Sequence, residues 1–221
     1  YTHTFSIEEY GVISLAYAFI GFSLVIYRYG MDTALMKFSI QAVNTEKKSY
    51  ISSIYSLQFV TSLSFSIILF VFRNYICVPI LGFNDSNLIS IIAVVIFLDN
   101  LWNHHVLILR SENKSSAFIF FNLLNVMLTM MLNIIFIIKW SYGVSGVLIA
   151  NLISSASVFI LSSPIIIKRA SIYKIDSKIL KKVMKFGLPF LPAGIFTMVM
   201  ELSNRYILSF MKGVPEVGLF S

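Results

Sequence analysis

The 221 residues are 57% hydrophobic and only 12% charged, against about 45–50% and about 25% in soluble domains. So little charge cannot cover a globule of 25.1 kDa, which excludes a water-soluble domain, and the apolar content excludes disorder. The net charge of +7 would suggest nucleic acid in a soluble protein, but here the basic residues fall between apolar stretches. Orientation in a membrane accounts for them, and no nucleic-acid partner is expected.

Apolar stretches of about 20 residues, enough to cross ~30 Å of hydrocarbon, recur along the chain. They predict six spans: Tyr10–Tyr27, Ile51–Phe72, Leu88–Leu109, Ala117–Ile138, Gly143–Ile167 and Phe186–Phe210. Lipid offers no partner to a free backbone N–H or C=O, and the stretches lack the alternation of a barrel strand, so all six are helices. The expected fold class is an all-α membrane protein.

The first span opens with a capping box, Ser6-Ile7-Glu8-Glu9. The second is rich in small polar residues: Ser52, Ser53, Ser56, Ser62, Ser64 and Ser66. Within the third, Asp99-Asn100-Leu101-Trp102-Asn103-His104-His105 places Asp99 and Asn103 at i, i+4 and Asn100 and His104 in an adjacent row. Adjacent histidines diverge by about 100° on a helix, so they do not make a zinc pair, and no metal is expected. Trp102, His104 and His105 read as residues of the cytoplasmic interface. Asp99, near mid-span, is a candidate proton or sodium site. Cys77, the single cysteine, excludes an internal disulfide and a cysteine-built zinc centre.

Asn122, Asn125, Thr129 and Asn133 in the fourth span are spaced 3, 4 and 4 apart, which confines them to about 80° of the helix surface. Such a stripe must face other helices or water. Interhelical hydrogen bonding is one reading, and a wet wall suited to sugar hydroxyls is the other. The fifth span begins Gly143-Val144-Ser145-Gly146 and continues through Ala150, Ser154 and Ser157, residues that permit close helix approach. Pro189 and Pro192 interrupt the start of the sixth, as in the broken helices of transporters. That span holds Glu201 and Arg205 at i, i+4, with Thr197, Asn204 and Ser209 on the same broad face. Either the two charges neutralise each other, or Arg205 faces a lumen where its guanidinium can meet a diphosphate. Glu201, like Asp99, is a candidate for ion coupling.

Loops after spans one, three and five carry 13 of the 17 basic residues, and the opposite side holds Arg73, Lys139 and Lys212. The positive-inside rule puts the richer loops, Arg28 among them, in the cytoplasm and Glu8 and Glu9 outside. From Ile172, apolar residues recur at Ile175, Ile179, Val183 and Phe186, with Lys174, Lys178, Lys181, Lys182 and Lys185 between them. The pattern reads as a basic amphipathic helix on the anionic inner leaflet or as a solvated linker. The expected division is 1–170, a first helical bundle; 171–185, a cytoplasmic basic amphipathic linker; and 186–221, the first helix of a second bundle. Tyr1 and the ending at Phe220-Ser221 suggest an internal piece of a longer protein.

Three segments carry a resemblance. Ser6-Ile7-Glu8-Glu9-Tyr10-Gly11 leads through a span to Tyr29-Gly30-Met31-Asp32-Thr33-Ala34. The run Phe186-Gly187-Leu188-Pro189-Phe190-Leu191-Pro192-Ala193 leads through Asn204-Arg205-Tyr206-Ile207-Leu208 to Gly213-Val214-Pro215-Glu216-Val217-Gly218-Leu219-Phe220-Ser221, and Gly143-x-x-Gly146 opens the fifth span. Together these resemble the Wzx-type polysaccharide flippases of the multidrug/oligosaccharidyl-lipid/polysaccharide exporter superfamily. One departure is Asn204, where the family often has Asp before Arg-Tyr; Glu201, one turn earlier, can substitute. The resemblance implies a two-bundle transporter of about a dozen or more helices in the bacterial inner membrane. It would flip undecaprenyl-diphosphate-linked oligosaccharides for O-antigen, lipopolysaccharide or capsule synthesis. Its partners would be the lipid-linked oligosaccharide, membrane lipids and other polysaccharide-assembly membrane proteins, with no cofactor. By that resemblance this piece would lack the first helix of the first bundle.

No Walker loop, G-x-G-x-x-G, H-E-x-x-H or G-x-S-x-G occurs. The longest outward loop expected, Arg73 to Asn87, is too short for an external catalytic domain, so no enzyme is expected. A multidrug/cation antiporter of the same architecture and an integral-membrane polymerase or glycosyltransferase remain as alternatives.

Overall fold

The computed structural model describes residues 5–82, 84–170 and 176–220. Ile172, Lys174, Ile175 and Ser221, which carried expectations above, lie outside them. The described residues form α1 (Ile7–Arg28), α2 (Met31–Gln41), α3 (Asn44–Leu81), α4 (Ser86–Ser111), α5 (Ser115–Ile134), α6 (Gly143–Arg169), α7 (Ser177–Gly187), α8 (Phe190–Lys212) and α9 (Val214–Phe220). A π-turn, Ile135–Lys139, extends α5. Six stretches are long and apolar enough to cross a membrane, as the hydropathy predicts. The protein is an all-α membrane protein.

α4 is the central helix, packed on by α1, α2, α3, α5 and α6. Most of its apolar residues are buried, as expected of a helix surrounded by others. α3 and α5 instead expose Ile67, Val71, Phe120 and Met130 among others, and these apolar flanks are the surfaces suited to hydrocarbon. The capping box at the start of α1 is formed: Ser6 Oγ accepts from the Glu9 N–H at 3.1 Å, and the Glu9 carboxylate accepts from the Ser6 N–H at 2.9 Å.

Two boundaries differ from expectation. The outward loop shrinks to a few residues because α3 stays helical to Leu81, with Pro79 tolerated in its last turn. The other difference decides the site. Between the first two predicted spans the chain does not leave the bundle as a loop. Tyr29 (φ 31°) and Gly30 (φ 79°) take left-handed conformations, and α2 then continues along α3 and α4. α1 and α2 are two halves of one broken helix. Gly30 is required twice over: its φ is costly for any side chain, and a Cβ there would collide with the carbonyl of Gly187 at the end of α7.

The end of the bundle that the positive-inside rule assigns to the cytoplasm, the inner end, is closed by α2 and α7. Met31, Leu35, Phe38, Tyr50, Ile54 and Val183 are buried together. α7 is amphipathic as its spacing predicts, but its apolar side lies on α2 and α3, with Val183 fully buried. Its Lys182 donates to the Tyr50 hydroxyl at 2.9 Å, and Lys37 of α2 lies 3.9 Å from the Phe186 ring centre. Packing on protein wins because α2, absent from the sequence reading, offers an apolar surface there.

At the inner rim, Glu112 receives Arg169 Nε at 2.7 Å and Arg169 Nη2 at 2.6 Å, with Lys114 at 3.1 Å and Lys47 at 3.8 Å. The Arg169 hydrogen bonds, with Lys114 beside them, hold the Glu112 carboxyl down at about 2, well below the ordinary range. This one carboxylate ties together the inner ends of α3, α4 and α6.

Candidate transport site in the bundle core

α4 rises about 39 Å over its 26 residues, so Asp99 and Asn103 lie at and just inward of its middle. The polar layer is built around them. Asp99 accepts from Trp102 Nε1 at 2.9 Å and from the Ser155 hydroxyl of α6. Asn103 donates through Nδ2 to Asp32 Oδ2 at 3.2 Å, and Arg28 Nε lies 3.5 Å from the same oxygen. The other Asp32 oxygen stands 3.3 Å from His104 Nε2. Arg28 is the last residue of α1 and Asp32 the second of α2, so the helix break carries an ion pair at membrane depth.

The break also uncovers backbone. In the last turn of α1, where intrahelical donors run out, Gln58 Nε2 of α3 donates to the carbonyl of Tyr27. Asn100 donates to Ser62 of α3 at 2.6 Å. Tyr27 and Ser66 share a hydrogen bond at 2.9 Å, and Ser66 donates to the Ala93 carbonyl at 3.0 Å. The serines of the second span thus serve as cross-links between α1, α3 and α4.

His104 and His105 are fully buried, and Trp102 is 8% exposed, so the interface reading of these three is corrected. Their helix is the hub, surrounded before it reaches the cytoplasm. His105 Nδ1 pairs with Ser162 at 2.8 Å and its Nε2 with Tyr55 at 2.9 Å. Arg28, expected in a cytoplasmic loop, belongs to the core instead. Among the described residues no group of three or more metal-ligating side chains comes together.

The asparagine stripe lies on α5, which packs against α6 and α4. Asn122 Nδ2 donates to its own helix at the Phe118 carbonyl, 2.8 Å away. Asn125 Nδ2, Thr129 Oγ1 and Asn133 Oδ1 are buried without a partner. Arg205 and Glu201 sit on α8, which packs along α1 and α9, so stripe and arginine occupy different walls. Glu201 is exposed and Arg205 half-buried, and among the described residues no ion pair joins them. Beside Arg205, an apolar groove of about 340 Å³ runs between α1 and α8, lined by Phe19, Phe22, Met198, Leu202 and Tyr206. At the outer end a cavity of about 660 Å³ is lined by Ser6, Glu8, Glu9, Asp85, Tyr142 and Ser145.

The family whose model is described as polysaccharide biosynthesis protein matches residues 4–221. The chain belongs to this family. Its fold is that of a solved multidrug resistance MATE family transporter of the MOP superfamily in an inward-facing conformation. That likeness has a TM-score of 0.73 at 17% identity, over 98% of this chain and 53% of the transporter. The chain therefore spans about half the length of the transporter it matches. No curated protein matches it in sequence.

Sequence reasoning missed Arg28, Asp32, Gln58 and the burial of His104. One signal was present: Tyr29-Gly30-Met31-Asp32 combines a turn-forming glycine with an acid directly after an apolar span.

Proposed function

We propose that this chain is part of a flippase that moves undecaprenyl-diphosphate-linked oligosaccharide repeat units across the bacterial inner membrane, for O-antigen or capsule synthesis. The observation that carries the reading is the polar layer of Asp99, Asn103 and the Arg28–Asp32 ion pair, at a broken helix in a member of the polysaccharide-biosynthesis family. Ionisable groups at that depth cost about 2.5–3.5 kcal/mol each on insertion, and a purely structural bundle would do without them.

In this reading two bundles alternate access to a shared interior, the described helices up to α6 forming most of the first and α8 opening the second. Arg205 attracts the diphosphate, since a planar guanidinium matches paired phosphate oxygens. The groove between α1 and α8 suits the polyprenyl tail. Asn122, Asn125, Thr129 and Asn133 line the sugar path, their carboxamides able to donate to and accept from hydroxyls. Asp99 or Glu201 couples movement to a cation gradient. The other partners are membrane lipids and the neighbouring membrane proteins of polysaccharide assembly.

The likeness to a multidrug transporter favours a second reading, export of an amphipathic cation. Arg205 and Arg28 argue against it, because a cation pocket gains from carboxylates without guanidinium groups. The two separate in cells lacking the gene. The flippase reading predicts that lipid-linked repeat units accumulate on the cytoplasmic leaflet with drug sensitivity unchanged. Normal delivery of the repeat units to the outer leaflet would refute it.

A further inference from the structure

We infer that Asp32 and His104 form a binding site for one proton, placed so that its occupancy fastens α2 to α4. Beside Asp99 and Glu201 it adds a further candidate for ion coupling and names its ion, and it rests on the transport reading only for what the proton does in transport.

The chemistry follows from which atom faces which. His104 Nδ1 lies 2.8 Å from the carbonyl oxygen of Asn100. A carbonyl can only accept, so Nδ1 carries a hydrogen. In the neutral ring the bare nitrogen is therefore Nε2, and Nε2 points at Asp32 Oδ1, 3.3 Å away. Two lone pairs then face one another, and both atoms are buried with no hydrogen-bond partner. His104 is fully buried. An extra proton on Nε2 turns this repulsive contact into a charge-assisted N–H···O bond, which in the core is among the strong ones. No covalent bond is broken: the proton joins the ring lone pair and later leaves from it.

The surroundings are set for a single proton. Asp32 Oδ2 is taken up by Asn103 and Arg28, so only Oδ1 is free to pair with the ring. The charged and titratable groups around the couple are Arg28 from α1, with Tyr27 and Tyr29 beside it; Asp99 and His105 from α4; and Tyr55 from α3. α3 and α6 otherwise bring the neutral Gln58, Ser62, Ser155 and Ser162, and α5 its neutral asparagines. Asp99 is already occupied by Trp102 and Ser155, and both ring nitrogens of His105 are paired. An alkali cation would need several oxygens, and it would meet a nitrogen and the Arg28 guanidinium instead. The couple bridges α4 to the first turn of α2, directly after the left-handed Tyr29–Gly30 link. Proton release thus loosens the hold on α2 beside that left-handed junction.

The test is ¹⁵N nuclear magnetic resonance of ring-labelled histidine in the whole protein, reconstituted in lipid bilayers and followed across pH. The His104 signals are assigned by their loss in His104→Gln. The expected result is an Nδ1 that stays protonated and an Nε2 that passes from bare to protonated in one step as pH falls. Asp32→Asn should demand about tenfold more protons for that step, and Arg28→Gln about tenfold fewer, the free-energy equivalent of one pH unit each way. The opposite directions keep the test decisive if one variant does not fold. A His104 Nε2 that never changes state, a step indifferent to both substitutions, or a response to sodium in place of pH would overturn the inference. The readout needs no transport, so a failed flipping experiment with an intact titration would sink the flippase reading alone.

Discussion

Replacing Glu112 by Gln keeps the shape of the side chain and removes the carboxylate that Arg169 pairs with. Glu112 holds both Arg169 nitrogens within 2.7 Å, and such charge-assisted bonds are worth about 1.5–3 kcal/mol each when shielded. The Glu112 side chain is 18% exposed, and screening at the rim reduces the net loss to about 1–2 kcal/mol. For a chain of this size that lowers Tm by roughly 2–8 °C. Melting followed through the two tryptophans at pH 7 reads it directly. The pH dependence has a fixed sign: the folded carboxyl titrates at about 2 and the unfolded one at 4.5. The stabilisation is complete above 4.5, declines as pH falls between those values, and is gone below about 2. The gap between wild type and Glu112→Gln should therefore close over that window. Equal Tm values at pH 7, or a gap that does not narrow on acidification, would refute the idea that this carboxylate binds the helix ends.

Two further outcomes follow from the packing. Gly218→Leu should lift α9 from α1, because even a Cβ at Gly218 collides with the Ile7 carbonyl. Spin labels at Glu8 and Leu219 should then report a longer distance, and an unchanged distance would show that the helices are not in register there. Asn125→Leu combined with Asn133→Leu removes two side chains that carry unpaired buried atoms. Stability should hold or rise by about 1 kcal/mol while flipping in cells falls; full flipping would make the stripe structural.

The six helices were legible because a span is a one-dimensional property: about 20 apolar residues suffice, whatever they touch. The capping box was equally local. The core site was not, because its partners are remote: Asn103 meets Asp32 across 71 positions. Reading Arg28 as a loop charge applied a sound rule to a residue that had found its counter-ion. Nothing in the spacing says that Tyr29 and Gly30 break the helix there and that α2 carries on along α3 and α4. His104 and His105 were misplaced for a related reason, since Trp and His mark interfaces on average, while this stretch of α4 is buried among its neighbours. The stripe on α5 shows the converse. Its periodicity puts the four residues on one face, but which atoms lack a partner depends on what α6 presents.

The central claim is that a polar, charged path inside this fold carries a lipid-linked sugar headgroup across the bilayer. It is tested most directly in vesicles containing the purified whole protein and a labelled undecaprenyl-diphosphate oligosaccharide, with outer-leaflet headgroup scored by an added glycosidase. Wild type should expose headgroup from the inner leaflet well above protein-free vesicles, and Arg205→Ala should slow this at least several-fold. Exposure no faster than in protein-free vesicles would contradict the account.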